Sequence, residues 1–325
     1  MQDEIKLKII NFVNKRYKYY VVILLFFTFL GYAGEYFYFF DILSHLRVLL
    51  LIFSVIFLII FPFINKFKKQ AIWVSIIVFI PLIINFIEVS PWISFEKHKY
   101  STSQKGIKIA LSNVLTSNNN YKAVIDFIDK NKPDIIVLQE VNNKWLKELK
   151  ELKKKYPYGI AESREDNFGI ALYSRIPVTK IEIVYWGEYY TPSILFETYI
   201  DNKKVRMLAI HTTPPTNQDY FKNRNSQFLN ISNWIKSSKI SAIVVGDINT
   251  SMFSPSYKRL IAESGLKNSR EGFGLYPTWS MTLPIICRFP LDQILHTNDL
   301  KTIDFKTGSS TGSDHLPVIA YIQKR

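Results

Sequence analysis

Gly312-Ser313-Asp314-His315, running through Leu316-Pro317 into an apolar segment that ends at Ile322, is the stretch from which the rest of the chain is read. A carboxylate and an imidazole side by side at the entrance of a strand suit a metal or phosphate site. Taken alone, the same Gly/Ser/Asp cluster is ordinary turn chemistry. It gains weight because other apolar runs end on matching groups: Asn113, Glu140, and the pair Asp247 and Asn249.

Working back from the C-terminus, short apolar runs alternate with amphipathic ones. Strands are expected at Ile107–Leu111, Asp134–Gln139, Gly169–Tyr173, Ile181–Trp186, Ile194–Ile200, Val205–Ile210, Ile240–Val245 and Leu316–Ile322. Helices are expected at Lys122–Asn131, Asn143–Lys155 and Asp219–Ser237, the first closed by Lys132-Pro133. Some strands are separated by helices and others follow one another directly. That mixture points to an α/β fold with helices packed on sheets rather than an all-parallel doubly wound sheet. No internal repeat is visible.

Ahead of this region the composition changes sharply. Residues 1–95 read as a membrane anchor, 96–105 as a polar linker, and 106–325 as the chemistry-bearing domain. Three apolar stretches, Tyr19–Phe40, Val48–Ile64 and Ala71–Ile87, have about the 20 residues a transmembrane helix needs. Lys6, Lys8, Lys15, Arg16 and Lys18 precede the first, and Lys66, Lys68 and Lys69 lie between the second and third. Positive loops stay in the cytoplasm, so three crossings would leave the N-terminus inside and everything after Trp92 outside.

The chain carries 41 Lys and Arg against 27 Asp and Glu, a net charge of +14. From Glu96 onward the counts are 32 and 22, so +10 belongs to the C-terminal region. An excess of this size favours an anionic partner such as nucleic acid, a phospholipid headgroup or a phosphorylated metabolite, and is also compatible with plain solubility. Cys287 is the only cysteine, which excludes an intramolecular disulfide and a cysteine-built zinc site. Beside Ile285 and Ile286 it is expected to be buried packing.

Polar groups recur where apolar runs stop, the place where α/β folds put their ligands. Ser112-Asn113 closes the first strand, and Gln139-Glu140 follows Ile135-Ile136-Val137-Leu138. A carboxylate directly after four apolar residues is costly to bury unpaired, and a hard cation such as Mg²⁺ or a salt bridge would relieve it. Val205–Ile210 leads to His211, and Ile243-Val244-Val245-Gly246 leads to Asp247-Ile248-Asn249. Asp292 sits within an apolar run and calls for a partner, for which His315 is the natural choice.

Six blocks in this order resemble the endonuclease/exonuclease/phosphatase superfamily of metal-dependent phosphoesterases, the DNase I-like group. They are Ser112-Asn113, Leu138-Gln139-Glu140-Val141, Gly169–Arg175, Gly246–Asn249, Leu291-Asp292 and Ser313-Asp314-His315. Asn113-Val114-Leu115-Thr116 with the apolar segments ahead resembles a membrane-anchored bacterial branch. The resemblance implies a four-layer α/β sandwich (DNase I-like) preceded by three transmembrane helices, and a Mg²⁺ or Mn²⁺ site. It makes Glu140 the main metal ligand, with Asn113 and Asp314 close by. Asp247 would orient or deprotonate the attacking water, and Asn249 would hold a phosphate oxygen. His315, oriented by Asp292, would stabilise developing charge, and His211 would lie on the leaving-group side. Gln293 departs from the aromatic or histidine of many relatives, a change expected to touch only the pocket lining.

The expectation is therefore a phosphoesterase in the bacterial cytoplasmic membrane, with its catalytic domain outside the cytoplasm. Its partners would be the bilayer and a phosphate ester: a lipid headgroup, nucleic acid or a phosphometabolite. No protein partner can be inferred. Tyr189, Tyr190, Phe253, Tyr276 and Trp279 fall in expected loops, where they could stack on bases, enter lipid or simply pack. An extracytoplasmic nuclease is the near alternative, and a catalytically dead binding domain on a membrane anchor the more distant one.

Overall fold

The computed structural model describes residues 2–64, 69–93 and 106–325. The linker expected over 96–105 and the lysines at 66 and 68 lie outside the described residues. Two compact units are present: residues 1–91 with 253–255, and residues 92–252 with 256–325.

The N-terminal unit contains helices α1 (Gln2–Leu30), α2 (Tyr38–Ser44), α3 (Arg47–Ile64) and α4 (Lys69–Val89). The first expected span, Tyr19–Phe40, is not one helix. It breaks into the end of α1, a 3₁₀ turn at Gly31–Glu35 and the start of α2. Among the described residues no single helix is long and apolar enough to cross a membrane; α2 and α3, bent by 56°, reach that length and composition only together. The break in the first stretch is visible at Gly34, where a Cβ would lie 2.7 Å from the Asp41 Cα, so the chain folds tightly back there. Phe26, Ile59, Phe86 and Ile87 are all more than half exposed. Inside the bundle, the buried Arg47 donates to the Thr28 carbonyl at 2.8 Å and to Asn85 Oδ1 at 3.2 Å. Asn85 in turn donates to Thr28 Oγ1 at 3.0 Å, so one polar cluster ties α1, α3 and α4 together.

The C-terminal unit begins with β1 (Gly106–Asn113), α5 (Tyr121–Asn131), β2 (Ile135–Gln139), α6 (Asn143–Glu148), β3 (Tyr158–Glu162) and β4 (Ile170–Ser174). It continues through β5 (Thr179–Trp186), β6 (Thr191–Ile200), β7 (Lys203–Ile210), α7 (Gln218–Lys236), β8 (Ala242–Asp247) and α8 (Pro255–Ser264). Strands β9 (Lys267–Asn268), β10 (Asp292–His296), β11 (Leu300–Thr307) and β12 (Val318–Lys324) complete it. Local sequence explains the key ends. Asn120 caps α5 by accepting from the Ala123 amide, and Lys132 closes the helix in the left-handed region before Pro133. Asn142 and Asn217 cap α6 and α7 in the same way.

Two six-stranded sheets form, in the orders β11-β12-β1-β2-β4-β3 and β5-β6-β7-β8-β10-β9. Each has one parallel pair, β1–β2 or β7–β8, with antiparallel strands on both sides. The inner faces meet in one core that joins Ile109, Leu111, Val137 and Leu172 of the first sheet to Phe196, Met207, Val245 and Ile294 of the second. Outside the first sheet, Val124, Phe127, Ile128 and Trp145 pack on Ala110, Ile136 and Leu138. On the second sheet's side, α7 buries Phe221, Phe228 and Ile231, and its Gln227 bonds Thr191 and Thr213. Helix, sheet, sheet, helix is the expected four-layer sandwich. It also contains a repetition that the sequence conceals, since β1-α5-β2 and β7-α7-β8 are the same parallel unit, one in each sheet.

Candidate active site

The C-terminal ends of both parallel pairs open on one place. β1 ends at Asn113 and β2 leads to Glu140; β7 leads to His211 and β8 ends at Asp247. The antiparallel neighbours deliver the rest. Asp292 pairs in register with Asp247, and Val318, three residues after His315, pairs with Leu111.

Asp247 is the centre. Its carboxylate is fully buried, with Oδ2 at 3.7 Å from His211 Nε2 and 3.6 Å from His315 Nε2. Asn113 Nδ2 donates to Glu140 Oε1 at 2.7 Å and to Asp247 Oδ2 at 3.3 Å, linking the two sheets' acids. On its far side, His315 meets Asp292 Oδ2 through Nδ1 at 2.9 Å. Burial disfavours a charged imidazole, but Asp292 and Asp247 outweigh it and hold the His315 pKa up at about 10. Burial likewise pushes the Asp247 carboxyl up, against the pull of His315. The result is a buried imidazole held between two carboxylates.

Glu140 is set apart by its backbone, which adopts a left-handed conformation with φ +62°, uncommon for a residue with a Cβ. Its Oε2 accepts from the Thr116 amide at 3.3 Å, and no Lys or Arg pairs with it among the described residues. A buried carboxylate with hydrogen bonds but no cation is a donor suited to a hard divalent ion. The amide nitrogen of Asn113, not its oxygen, faces Glu140, and Asn113 Oδ1 accepts from Leu115 N at 3.0 Å. Asn113 thus holds the Glu140 carboxylate in place in this arrangement. Asp314, half-buried, accepts from Trp279 Nε1 at 2.9 Å. Asp247, Asp292 and His315 also have ligand atoms within 4.8 Å of one another. In that trio His315 Nδ1 is already bonded to Asp292 Oδ2, and its Nε2 lies 3.6 Å from Asp247 Oδ2.

Asn249 and His211 complete the expected set. Asn249 also has a left-handed backbone, at φ +49°; its amide donates to Asp247 Oδ1 at 2.9 Å and its side chain to the Thr212 carbonyl at 2.7 Å. Its side chain therefore ties the end of β8 to the residues that follow β7. His211 is buried, with the Phe168 ring 5.3 Å away and no partner for Nδ1.

Two expectations fail here. Gln293 does not line the pocket: next to Asp292 on a strand it faces the other side of the sheet, accepting from Asn268 Nδ2 at 2.9 Å and donating to the Pro290 carbonyl at 2.5 Å. Cys287 is half-exposed on a 3₁₀ turn rather than buried, and Ile285 beside it is 65 % exposed. The structure also adds residues. Thr278 Oγ1 accepts from the Leu291 and Asp292 amides. The buried Arg270 donates to the Asp292 carbonyl at 2.6 Å and to the carbonyls of Leu275 and Tyr276. A buried arginine between polar loops carries no local sequence signal, and neither does a loop threonine such as Thr278.

No curated protein matches the chain in sequence. Among solved structures, an endonuclease/exonuclease/phosphatase protein from Bacteroides vulgatus superposes with a TM-score of 0.57 at 18% identity, over 68% of this chain and 100% of that one. The human Nocturnin catalytic domain with bound sulfate gives 0.56 at 18%, over 70% and 97%. D. rerio TDP2 complexed with a single-strand DNA product gives 0.56 at 15%, over 67% and 99%. These likenesses show a shared fold. The model of the Endonuclease/Exonuclease/phosphatase family matches residues 110–315, well over half of the chain and every candidate residue named above. The chain belongs to the endonuclease/exonuclease/phosphatase family.

Proposed function

We propose that this chain is a divalent-metal-dependent phosphoesterase tethered to a membrane, acting on a phosphate ester presented near the bilayer. The observation that carries the catalytic part is the His315 imidazole held between Asp292 and Asp247. Phosphate esters repel nucleophiles, so a site must offer fixed positive charge and an aligned water. His315, kept protonated, supplies the charge. Asp247, made more basic by burial, is the group that orients and deprotonates the water. The side chain of Asn249 binds a phosphate oxygen, and His211 on the other side of Asp247 faces the leaving group. Glu140 and Asp314, with Asn113 steadying Glu140, would hold Mg²⁺ or Mn²⁺. Such an ion would polarise the phosphoryl oxygen and lower the pKa of bound water.

The tether is supported by the apolar faces of the N-terminal helices and by the lysines of the polar segments between apolar stretches. By the distribution of positive charge, the catalytic domain lies outside the cytoplasm. A tethered domain meets substrates in the same membrane at a high effective concentration, which favours a lipid headgroup. A nuclease is the second reading. It is favoured by Tyr190, 70 % exposed, whose carbonyl accepts from Arg164 at 3.1 Å in a loop that leads to Phe168 beside His211. Assay of the full chain in detergent with Mg²⁺ against phospholipids, single- and double-stranded nucleic acids and phosphomonoesters tests the proposal. Turnover of lipid headgroups supports it, turnover of nucleic acid alone favours the second reading, and no turnover of any ester refutes both.

A further inference from the structure

Gln139 is fully buried between the two sheets, and neither the acid–base groups nor the metal ligands include it. Its side chain is nevertheless used at both ends. Nε2 donates to the Ile210 carbonyl at 2.6 Å, and Oε1 accepts from the Asp247 backbone amide at 2.9 Å. Gln139 belongs to the first sheet, whereas Ile210 and Asp247 belong to the second. Each bond lands next to, or on, a residue of the site: Glu140 follows Gln139, His211 follows Ile210, and Asp247 is bonded directly.

The surroundings are shaped to admit this amide. Gly246 has no side chain where a Cβ would lie 1.7 Å from the Ile210 oxygen and 3.3 Å from Gln139 Nε2. The backbone of Gln139 is itself fixed, since its carbonyl accepts from Val114 N at 2.9 Å, beside Asn113. A buried amide with both ends satisfied is rigid, and removing it would leave an amide N–H and a carbonyl without partners.

We propose that Gln139 is a positioning residue that sets the metal-holding half of the site, Asn113 and Glu140, in register with the water-activating half, His211 and Asp247. Hydrophobic contacts between the sheets are non-directional and cannot define such a register to a fraction of an ångström. Two short hydrogen bonds from one side chain can. Through them, Gln139 acts on kcat, because alignment of the water with the phosphorus matters most in the transition state. It touches neither substrate nor ion.

This inference rests on the phosphoesterase reading, and the experiment separates the two. In the full chain, Gln139→Met keeps length and volume while removing both bonds; Gln139→Asn keeps the amide but is too short to reach both partners. Ile200→Ala, at the far end of β6, serves as a destabilised control. Hydrolysis of p-nitrophenyl phosphoesters gives kcat and KM, electron paramagnetic resonance gives Mn²⁺ affinity, and hydrogen exchange follows residues 209–213 and 246–249. Gln139→Met is expected to lower kcat by about a hundredfold with KM and Mn²⁺ affinity within about threefold of wild type. Gln139→Asn is expected to fall in between, and exchange should quicken in both segments but not in Ile200→Ala. A kcat loss no greater than that of Ile200→Ala, or one restored by more Mn²⁺, overturns the proposal. If the wild type hydrolyses no phosphoester, the functional reading fails, and unaltered exchange in both Gln139 variants then overturns the positioning role as well.

Discussion

His315 Nδ1 and Asp292 Oδ2 stand 2.9 Å apart, although 23 residues separate them in the chain. The pair joins the start of β10 to the approach of β12, strands of different sheets. Breaking a buried pair by removing one member leaves an uncompensated group, so the two act as one unit. Asp292→Asn and His315→Ala should each lower turnover by about a hundredfold. The double variant should be little worse than the worse single one. Multiplication of the two losses in a folded double variant would show independent roles.

Among the described residues Glu140 has no cationic partner, and its carboxylate is the expected anchor for the ion. Glu140→Gln should weaken Mn²⁺ binding and lower turnover by orders of magnitude, about a thousandfold, with little change in thermal stability. Titration calorimetry with Mn²⁺ and an EDTA challenge of the wild type check this together. Full activity in excess EDTA would remove the metal from the mechanism.

Trp279 steadies Asp314 through its indole N–H. Trp279→Phe retains a ring but not the donor, and losing one support of a ligand typically weakens a metal site by about tenfold or more. The half-saturating Mg²⁺ concentration should rise accordingly, with the rate at saturating Mg²⁺ nearly preserved. An unchanged Mg²⁺ requirement would confine Trp279 to packing.

His296 offers a test of stability against pH. Its Nδ1 lies 2.9 Å from the Thr297 carbonyl and must donate, and in the neutral ring Nε2, 3.1 Å from Thr302 Oγ1, accepts. Burial holds its pKa below the ordinary histidine value. The unfolded chain therefore binds a proton first as pH falls, so this contribution is complete above the unfolded pKa, near 6.5, and is lost below it. Thermal midpoints should drop between pH 7.5 and 5.5, and His296→Gln should drop less over the same interval. Equal drops in both proteins would assign the effect elsewhere.

Topology is testable at the C-terminus. With the lysine-bearing segments retained inside, an alkaline phosphatase reporter fused after Arg325 should be active. Activity only from a cytoplasmic reporter at that position would reverse the orientation.

The candidate site was readable because its groups sit where apolar runs end, at Asn113, Glu140, His211 and Asp247, and strand periodicity marks those ends. Pairing across sheets was readable for Asp292 alone, since a carboxylate inside an apolar strand demands a partner. Gln139 gave no such demand: an amide before a glutamate looks like an ordinary strand terminus until both sheets are in place. β3 and β11, an edge strand of the first sheet at either side, were missed because their exposed alternation is diluted by glycine and charge. The expected helix over Asn143–Lys155 relaxes to 3₁₀ at Lys150–Lys154, after α6 ends at Glu148. The break in the first apolar stretch was not legible because hydropathy averages over Gly31 and Gly34, whereas backbone geometry does not.

The left-handed backbone at Glu140 has a consequence for anyone seeking a hardier version of this protein. Glycine or asparagine would suit φ +62° better than glutamate, so choosing residues by conformational preference alone would replace it. Such a redesign would trade backbone ease for the carboxylate proposed above to capture the ion. Under that proposal, durability and chemistry compete for the same residue.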